Sequence, residues 1–293
     1  MSGVGRIAVV GTGRMGAAMA GRLREAGIAV TVYNRTRATA EELAARTGAV
    51  VVATAREAAA AADVVVVSLA DDAAAAGTYG GADGIAVGLR PGSVVLETST
   101  IAPETVAALA ALAEKQGAVL LDTPVSGSVA FAEHGELIVM AGGPAEALER
   151  ARPVLNILAA RVIHVGGSGA GAVMKLALNS VVHGLNLALS EALVLAERSG
   201  VAREMAYDVF AASAAGAPFV HYKRAAFVHP EDAAVGFTLG LVAKDLELIL
   251  DRAERAGVPM EQAAFNLRQV RAAGEAGYAD RDLSAMADFV RGH

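Results

Sequence analysis

The 293-residue chain contains no cysteine. That excludes disulfides, thiolate metal sites and a cysteine nucleophile, and no other metal-ligand set is read from it. Lysine is scarce as well. Of 25 basic residues only Lys115, Lys175, Lys223 and Lys244 are lysines. Arginine keeps its proton at any ordinary pH, whereas a desolvated lysine can exchange one, so the few lysines are the places to look for proton transfer. Lys115 and Lys223 read as ordinary surface residues. Positive charge overall is short: 31 acidic residues leave a net charge of −6 and a pI near 5.6, which argues against nucleic acid as the main partner. Outside the amphipathic segments no unbroken, glycine-free apolar run approaches the roughly 18 residues of a membrane span, so none is expected. The first strand is reached within six residues of Met1, so no signal peptide is expected and a cytoplasmic protein is the default. With 54% hydrophobic and 19% charged residues, the composition is that of a compact globular protein, long enough for two domains.

The first of these domains opens on an apolar run at 6–10. It is followed at once by Gly11-Thr12-Gly13-Arg14-Met15-Gly16, a helix ending at Gly27 and a second strand, IAVTVYNRT. Strand, Gly-x-Gly-x-x-Gly, helix and strand within one short unit form a dinucleotide-binding pattern. The first glycine makes the tight turn, the second lets a pyrophosphate approach the backbone, and the third lets the helix pack on the strand. At the end of the second strand an acid would bind the ribose 2′-hydroxyl of NAD. This chain has Asn34-Arg35-Thr36 there instead. Arg35 offers a planar fork to a 2′-phosphate and Thr36 a hydroxyl donor, so NADP(H) is expected in preference to NAD(H).

The α/β alternation continues. Helices are expected at 41–47, 55–62, 103–115 and 145–158, with strands at 49–52, from 63, from 93, from 118 into a loop, from 136, and at 161–165. The Ala-rich runs at 58–62 and 73–76 need no special account, alanine being the best helix former. After residue 165 strand signals stop, and helices are expected at 170–198, 203–214, 218–226, 237–256, 260–275 and 282–290. The fold expected is α/β: a Rossmann-type doubly wound domain over 1–165, then an all-α domain over 166–293, joined by a long interdomain helix.

That helix is mostly apolar, but Lys175, Asn179, His183, Asn186 and Ser190 fall within one arc of roughly 80° on it. Two readings fit: a row of satisfied hydrogen bonds in a helical core, or a face presented to an interdomain cleft. The first suits His183 to Ser190. The second suits Lys175 and Asn179, because a buried lysine without a task is rare and ligands usually sit between domains.

Four stretches together resemble the β-hydroxyacid dehydrogenase family, which includes 3-hydroxyisobutyrate dehydrogenases, tartronate semialdehyde reductases and glyoxylate/succinic semialdehyde reductases. They are VVGTGRMGAAMA at 9–20, DTPVSGSVAFAEHGEL at 122–137, GAGAVMKLALNS at 169–180 and FTLGLVAKDLEL at 237–248. The resemblance covers essentially the whole chain. It implies that Lys175 is the catalytic lysine and Asn179 its neighbour. It further implies that Ser126, Gly127 and Ser128 form the substrate loop, that Lys244 lies near cofactor and substrate, and that Leu69, Ala70 and Thr100 touch the cofactor. The chain departs from the family at Ser128, Phe131, Glu136 and Ser180, all near the substrate loop or its support. Phe131, in place of a glycine, either narrows that support or points into the core. Glu136, in place of a threonine, is expected to face solvent or cap a turn.

The implied chemistry is hydride transfer between nicotinamide and a carbinol carbon, with Lys175 exchanging the hydroxyl proton and Asn179 holding it or the reacting oxygen in line. The expected substrate is a small hydroxy acid or aldehyde acid whose carboxylate is held by Ser126 and the amides of Gly127 and Ser128. A homodimer or homotetramer is implied by family analogy. An imine or neutral-carbonyl reductase of the same architecture, or an NADPH-binding regulatory module without turnover, are the other readings.

Overall fold

Short runs of valine, isoleucine and leucine, too short for helices and bounded by glycine or polar residues, become the strands of one sheet, and the alanine-rich stretches between them become helices. The computed structural model describes residues 5–292. In order the elements are β1 (Ile7–Val10), α1 (Arg14–Glu25), β2 (Val30–Tyr33), α2 (Arg37–Thr47), β3 (Val50–Val51), α3 (Ala55–Ala61), β4 (Val64–Val67), α4 (Asp72–Tyr79), α5 (Ile85–Gly88), β5 (Val94–Glu97), α6 (Pro103–Glu114), β6 (Val119–Asp122), β7 (Val125–Ser126), α7 (Val129–His134), β8 (Leu137–Gly142), α8 (Ala145–Leu158) and β9 (Ala159–Gly166). Helices follow: α9 (Ala170–Arg198), α10 (Arg203–Ala212), α11 (Pro218–Val228), α12 (Leu239–Ala256), α13 (Glu261–Ala273) and α14 (Met286–Arg291).

The sheet order is β3-β2-β1-β4-β5-β6-β8-β7, with β9 beside β8. The first six strands are parallel, and β8 runs antiparallel to β6 and β7. This is the doubly wound arrangement, its strand order reversing between β1 and β4. The side-chain period of two divides each buried strand between two cores. Ile7, Val9, Val66 and Leu96 face one core with α1, α2 and α8, while Ala8, Val10, Val67 and Val95 face the other with α3, α4 and α6.

The parallel register has a consequence for the site. Tyr33 pairs with Val10, Val10 with Val67, Val67 with Glu97, and Glu97 with Asp122. These five residues form one row across the sheet, and each of them ends its strand. The loops that leave this row carry most of the residues singled out from the sequence.

The chain divides into two compact units, one through Lys175 and the other from Leu176. The second has its own core, built on Leu193, Tyr207, Phe227, Leu246, Val270 and Met286. Element positions broadly follow the sequence reading; among the differences, α14 starts at Met286 rather than 282. Helix α2 starts at Arg37 rather than 41. The short α5 was not expected. The stretch expected as loop after β6 contains β7 and α7. The last has a local cause: the Ser128 hydroxyl caps α7 by accepting from the Phe131 amide at 3.4 Å, and Gly135 ends it in the left-handed region, φ +72°, the usual start and stop signals of a helix.

Lys223 corrects an expectation. It is buried, not an ordinary surface residue, and its ammonium donates to both oxygens of Asp282 at 2.8 Å. Asp282 also accepts the amides of Gly236 and Ser284. Burial opposes its ionisation, but the Lys223 charge and these bonds outweigh burial and hold its carboxyl below the usual value. Among the described residues α9 alone is long and apolar enough to cross a membrane by length and composition, although Lys175, Gly184 and the polar stripe keep it from being an unbroken apolar run. Half of its most apolar window is buried inside the protein, as in a core helix.

Candidate active site

The glycine loop leaves β1 at the sheet row. A Cβ on Gly11, whose φ is +89°, would collide with the Ser68 carbonyl, and one on Gly16 would collide with the Gly11 carbonyl. Glycine at these two positions is therefore a packing requirement of strand, turn and helix. Gly13 differs: a Cβ there would meet no protein atom within 4 Å. It is exposed, as is Arg14, and it precedes α1, whose N-terminus has no side-chain cap. Met15 is half-buried against the core. The buried Thr12 hydroxyl has no hydrogen-bond partner among the described residues. An open position at the middle glycine, uncapped helix amides and an orphaned hydroxyl are features that a dinucleotide pyrophosphate would complete.

At the end of β2 the Asn34 side chain bridges two loops. Its Oδ1 accepts the Thr12 amide at 3.0 Å, and its Nδ2 donates to the Thr36 carbonyl at 3.0 Å. Asn34 thus braces the glycine loop. Arg35 and Thr36 are exposed, and Thr36 precedes α2 without capping it through its side chain.

The loops after β4 and β5 are tied together. The Leu69 amide donates to the Ser99 hydroxyl at 2.8 Å, and the Ser99 amide donates to Glu97 Oε1 at 2.9 Å. The Tyr79 hydroxyl donates to Glu97 Oε2 at 2.8 Å, and the Thr98 hydroxyl to the Val67 carbonyl at 2.6 Å. Leu69 and Thr100 are half-buried and Ala70 is exposed. In the sequence reading Ser99, like Thr100, ends its strand on the side expected to bind ligands, but Glu97 was not singled out. The signal was present for Glu97, an acid closing an otherwise apolar strand.

After β6 the chain reaches Ser126, Gly127 and Ser128, all half-buried. Gly127 has φ +136°, and a Cβ there would press on Leu137 and Phe131 at 3.0 and 3.1 Å. The Ser128 hydroxyl is engaged as the α7 cap. Phe131 packs against the core of its unit beside Gly127, and Glu136 is exposed.

Lys175 lies in the second turn of α9 and is half-buried, less than the sequence reading supposed. Asn179, one turn on, is buried, and its Nδ2 donates to Asp245 Oδ2 at 2.6 Å. A carboxylate only accepts, so this contact fixes the orientation of the amide. His183 Nε2 lies 3.4 Å from the same oxygen, and Lys244 Nζ lies 2.9 Å from Asp245 Oδ1. Burial opposes ionisation of the fully buried Asp245, but the His183 bond and the Lys244 charge outweigh it and hold its carboxyl below the usual range. The rest of the stripe is internal: Asn186 donates to the Leu283 carbonyl and Ser190 to the Asn186 carbonyl. The sequence reading named Lys244 but gave its neighbour Asp245 no role, and it is on Asp245 that Asn179 and His183 converge.

Comparison with known proteins covers both halves of the chain. Residues 6–166 match the model for the NAD binding domain of 6-phosphogluconate dehydrogenase. Residues 169–290 match the model described as NAD-binding of NADP-dependent 3-hydroxyisobutyrate dehydrogenase. The NAD-dependent L-serine dehydrogenase of Pseudomonas aeruginosa is 34% identical over 290 residues, covering 96% of each chain. The 3-hydroxyisobutyrate dehydrogenase of the same organism is 33% identical over 294 residues, covering 98% of each. Among solved structures, 3-hydroxyisobutyrate dehydrogenase of Mycobacterium tuberculosis with L-serine superposes with a TM-score of 0.84 at 33% identity, covering 98% of this chain and 99% of that one.

Glu97 yields a pH prediction. Burial raises its pKa from 4.5 to about 6; the Ser99 and Tyr79 hydrogen bonds oppose the rise and the Asp72 charge adds to it. An acid whose pKa is raised on folding binds its proton more tightly in the native state. Its contribution to stability is therefore fullest below about pH 4.5, and it declines as the pH rises from there to about 6. The deficit at neutral pH is on the order of 2 kcal/mol. Urea unfolding of Glu97→Gln and the parent protein at both ends of this window should show the variant gaining relative stability on the neutral side. A difference independent of pH would contradict the assignment.

Proposed function

The chain belongs to the β-hydroxyacid dehydrogenase family, whose members are NAD(P)-dependent oxidoreductases acting on CH–OH groups, and within it we propose an NADP(H)-dependent enzyme for small hydroxy acids or aldehyde acids. The observation that carries this reading is the placement of Lys175. It is half-buried in the second turn of α9, whose first turn is anchored to the sheet row from which the candidate cofactor loops emerge.

The unit through Lys175 is the dinucleotide-binding part in this reading. Gly11 to Gly16 would hold the pyrophosphate, Leu69, Ala70 and Thr100 would line the cofactor, and Arg35 and Thr36 would hold the 2′-phosphate. Exposure of Arg35 and Thr36 at the end of β2, with no acid among residues 34–36, supports NADP(H). Bound nicotinamide supplies or accepts the hydride. Lys175 delivers a proton to the carbonyl oxygen in reduction and removes it from the hydroxyl in oxidation. Asn179, its Nδ2 committed to Asp245, orients the lysine or the reacting oxygen through its amide oxygen. Ser126 and the Gly127 and Ser128 amides bind the substrate carboxylate, with Lys244 adding positive potential. The protein is read as cytoplasmic and homo-oligomeric, a dimer or tetramer. Large apolar side chains left exposed on α9, Val181 and Leu195, support the second point.

Lys175→Ala should lower NADPH-dependent turnover of small aldehyde acids by at least about 10²-fold, the low end for a general acid–base group, with little change in cofactor affinity. Lys175→Arg should not restore activity, because arginine keeps the charge without a usable pKa; an active arginine variant would show that only charge is needed. For the cofactor, Arg35→Ala should weaken NADPH binding by about 1.5–3 kcal/mol, the range for hydrogen bonds to charged groups, and leave NADH nearly unchanged. Calorimetric titration with both cofactors checks this, and equal losses would sink the 2′-phosphate assignment.

A further inference from the structure

Asp122 ends β6 in the sheet row and is buried at 1% exposure. Its carboxylate faces the start of α9. Oδ1 accepts the Gly169 amide and Oδ2 the Ala172 amide, each at 2.9 Å. Both oxygens are therefore committed to backbone amides at one helix end, where a negative charge is favoured by the helix dipole. Two glycines make space for this contact. A Cβ on Gly142 would lie 2.5 Å from Asp122 Oδ1, and one on Gly171 would lie 2.9 Å from Oδ2 and 2.5 Å from the Asp122 and Met140 carbonyls. A buried acid, two charge-assisted bonds and two obligatory small residues thus build one seat.

Two parts of the candidate site are joined there. Lys175 follows Ala172 by three residues, about 4.5 Å along the axis at 1.5 Å per residue. Ser126, in the substrate loop, follows Asp122 by four. We infer that Asp122 is a positioning residue for proton transfer: by seating the first turn of α9 on the end of β6 it fixes Lys175 relative to the loop that holds the substrate carboxylate. The inference rests on the proposed role of Lys175. Asp122 touches no reacting atom; it acts through the helix. A displacement of this seat by an ångström is enough to spoil a proton-transfer geometry.

A double-mutant cycle tests it. Asp122→Asn keeps the shape and at most one of the two accepted bonds. In the parent enzyme it should lower the single-turnover rate with NADPH and an aldehyde acid by about tenfold or more, while NADPH affinity and Tm stay near the parent values. In the Lys175→Ala background the same change should cost less than about twofold, because the group being positioned is gone. An equal loss in both backgrounds, or a fall in rate matched by loss of cofactor affinity and Tm, would overturn the inference and leave a structural role only. So would an unchanged rate in the parent. Failure of the Lys175 reading is visible separately, as full activity of Lys175→Ala alone. If Asp122→Asn does not fold, Asp122→Glu, which keeps the charge but sets the carboxylate one methylene further out, is taken through the same cycle with the same expected and overturning results.

Discussion

The rest of this structure depends on where its parallel strands stop. Tyr33, Val10, Val67, Glu97 and Asp122 lie in one register row, and beyond that row the sheet no longer supplies the loops with hydrogen bonds along their whole length. Buried amides there must be paired or cost free energy. The protein meets this demand with side chains from neighbouring strand ends. Asn34 takes the Thr12 amide, Ser99 the Leu69 amide, Glu97 the Ser99 amide, and Asp122 the amides of Gly169 and Ala172. Asn34, Ser99 and Asp122 each tie down a segment from another element, while Glu97 braces the loop that follows its own strand. The candidate site is therefore a set of loops fixed to one another at their roots, with positions such as Gly13 and Thr12 left for a ligand to complete.

A second anchor of the same kind serves the helical unit. Asp245 is fully buried and gathers Asn179, His183 and Lys244 around one carboxylate. A buried charge is tolerated only when paired and hydrogen-bonded, and here the pairing also fixes the rotamer of Asn179, one turn along α9 from Lys175. The far end of the polar stripe, Asn186 and Ser190, fits the first of the two readings weighed from the sequence, satisfying hydrogen bonds within the core; its near end holds the residues that the family resemblance marks as chemical.

What was legible in the sequence is what is local. The glycine loop, its strand and helix, the long α9 and the passage from α/β to all-α each reside in contiguous residues with a period or a spacing, and the structure has them. Between 123 and 136 the signals are local too, since Ser128 and Gly135 bracket α7 with ordinary cap residues. What was not legible depends on register or on partners distant in the chain. Glu97 and Asp122 look alike as acids ending apolar strands, and their partners, Tyr79 for one and the start of α9 for the other, lie elsewhere along the chain. Lys223 looked superficial because Asp282, which neutralises it, lies 59 residues away. The role of Asp245 required α12 to be packed on α9.

Family membership leaves one physical claim to test, that the loop at Ser126 to Ser128 anchors a carboxylate while Lys175 moves the proton. The most direct measurement compares kcat/KM for a short aldehyde acid with that of its methyl ester, under NADPH. Removing a charged acceptor from a hydrogen bond costs about 1.5–3 kcal/mol, so the ester should be poorer by roughly ten- to a hundredfold. An ester turned over as efficiently as the acid would contradict the claim and favour a reductase of neutral carbonyls or imines on this fold.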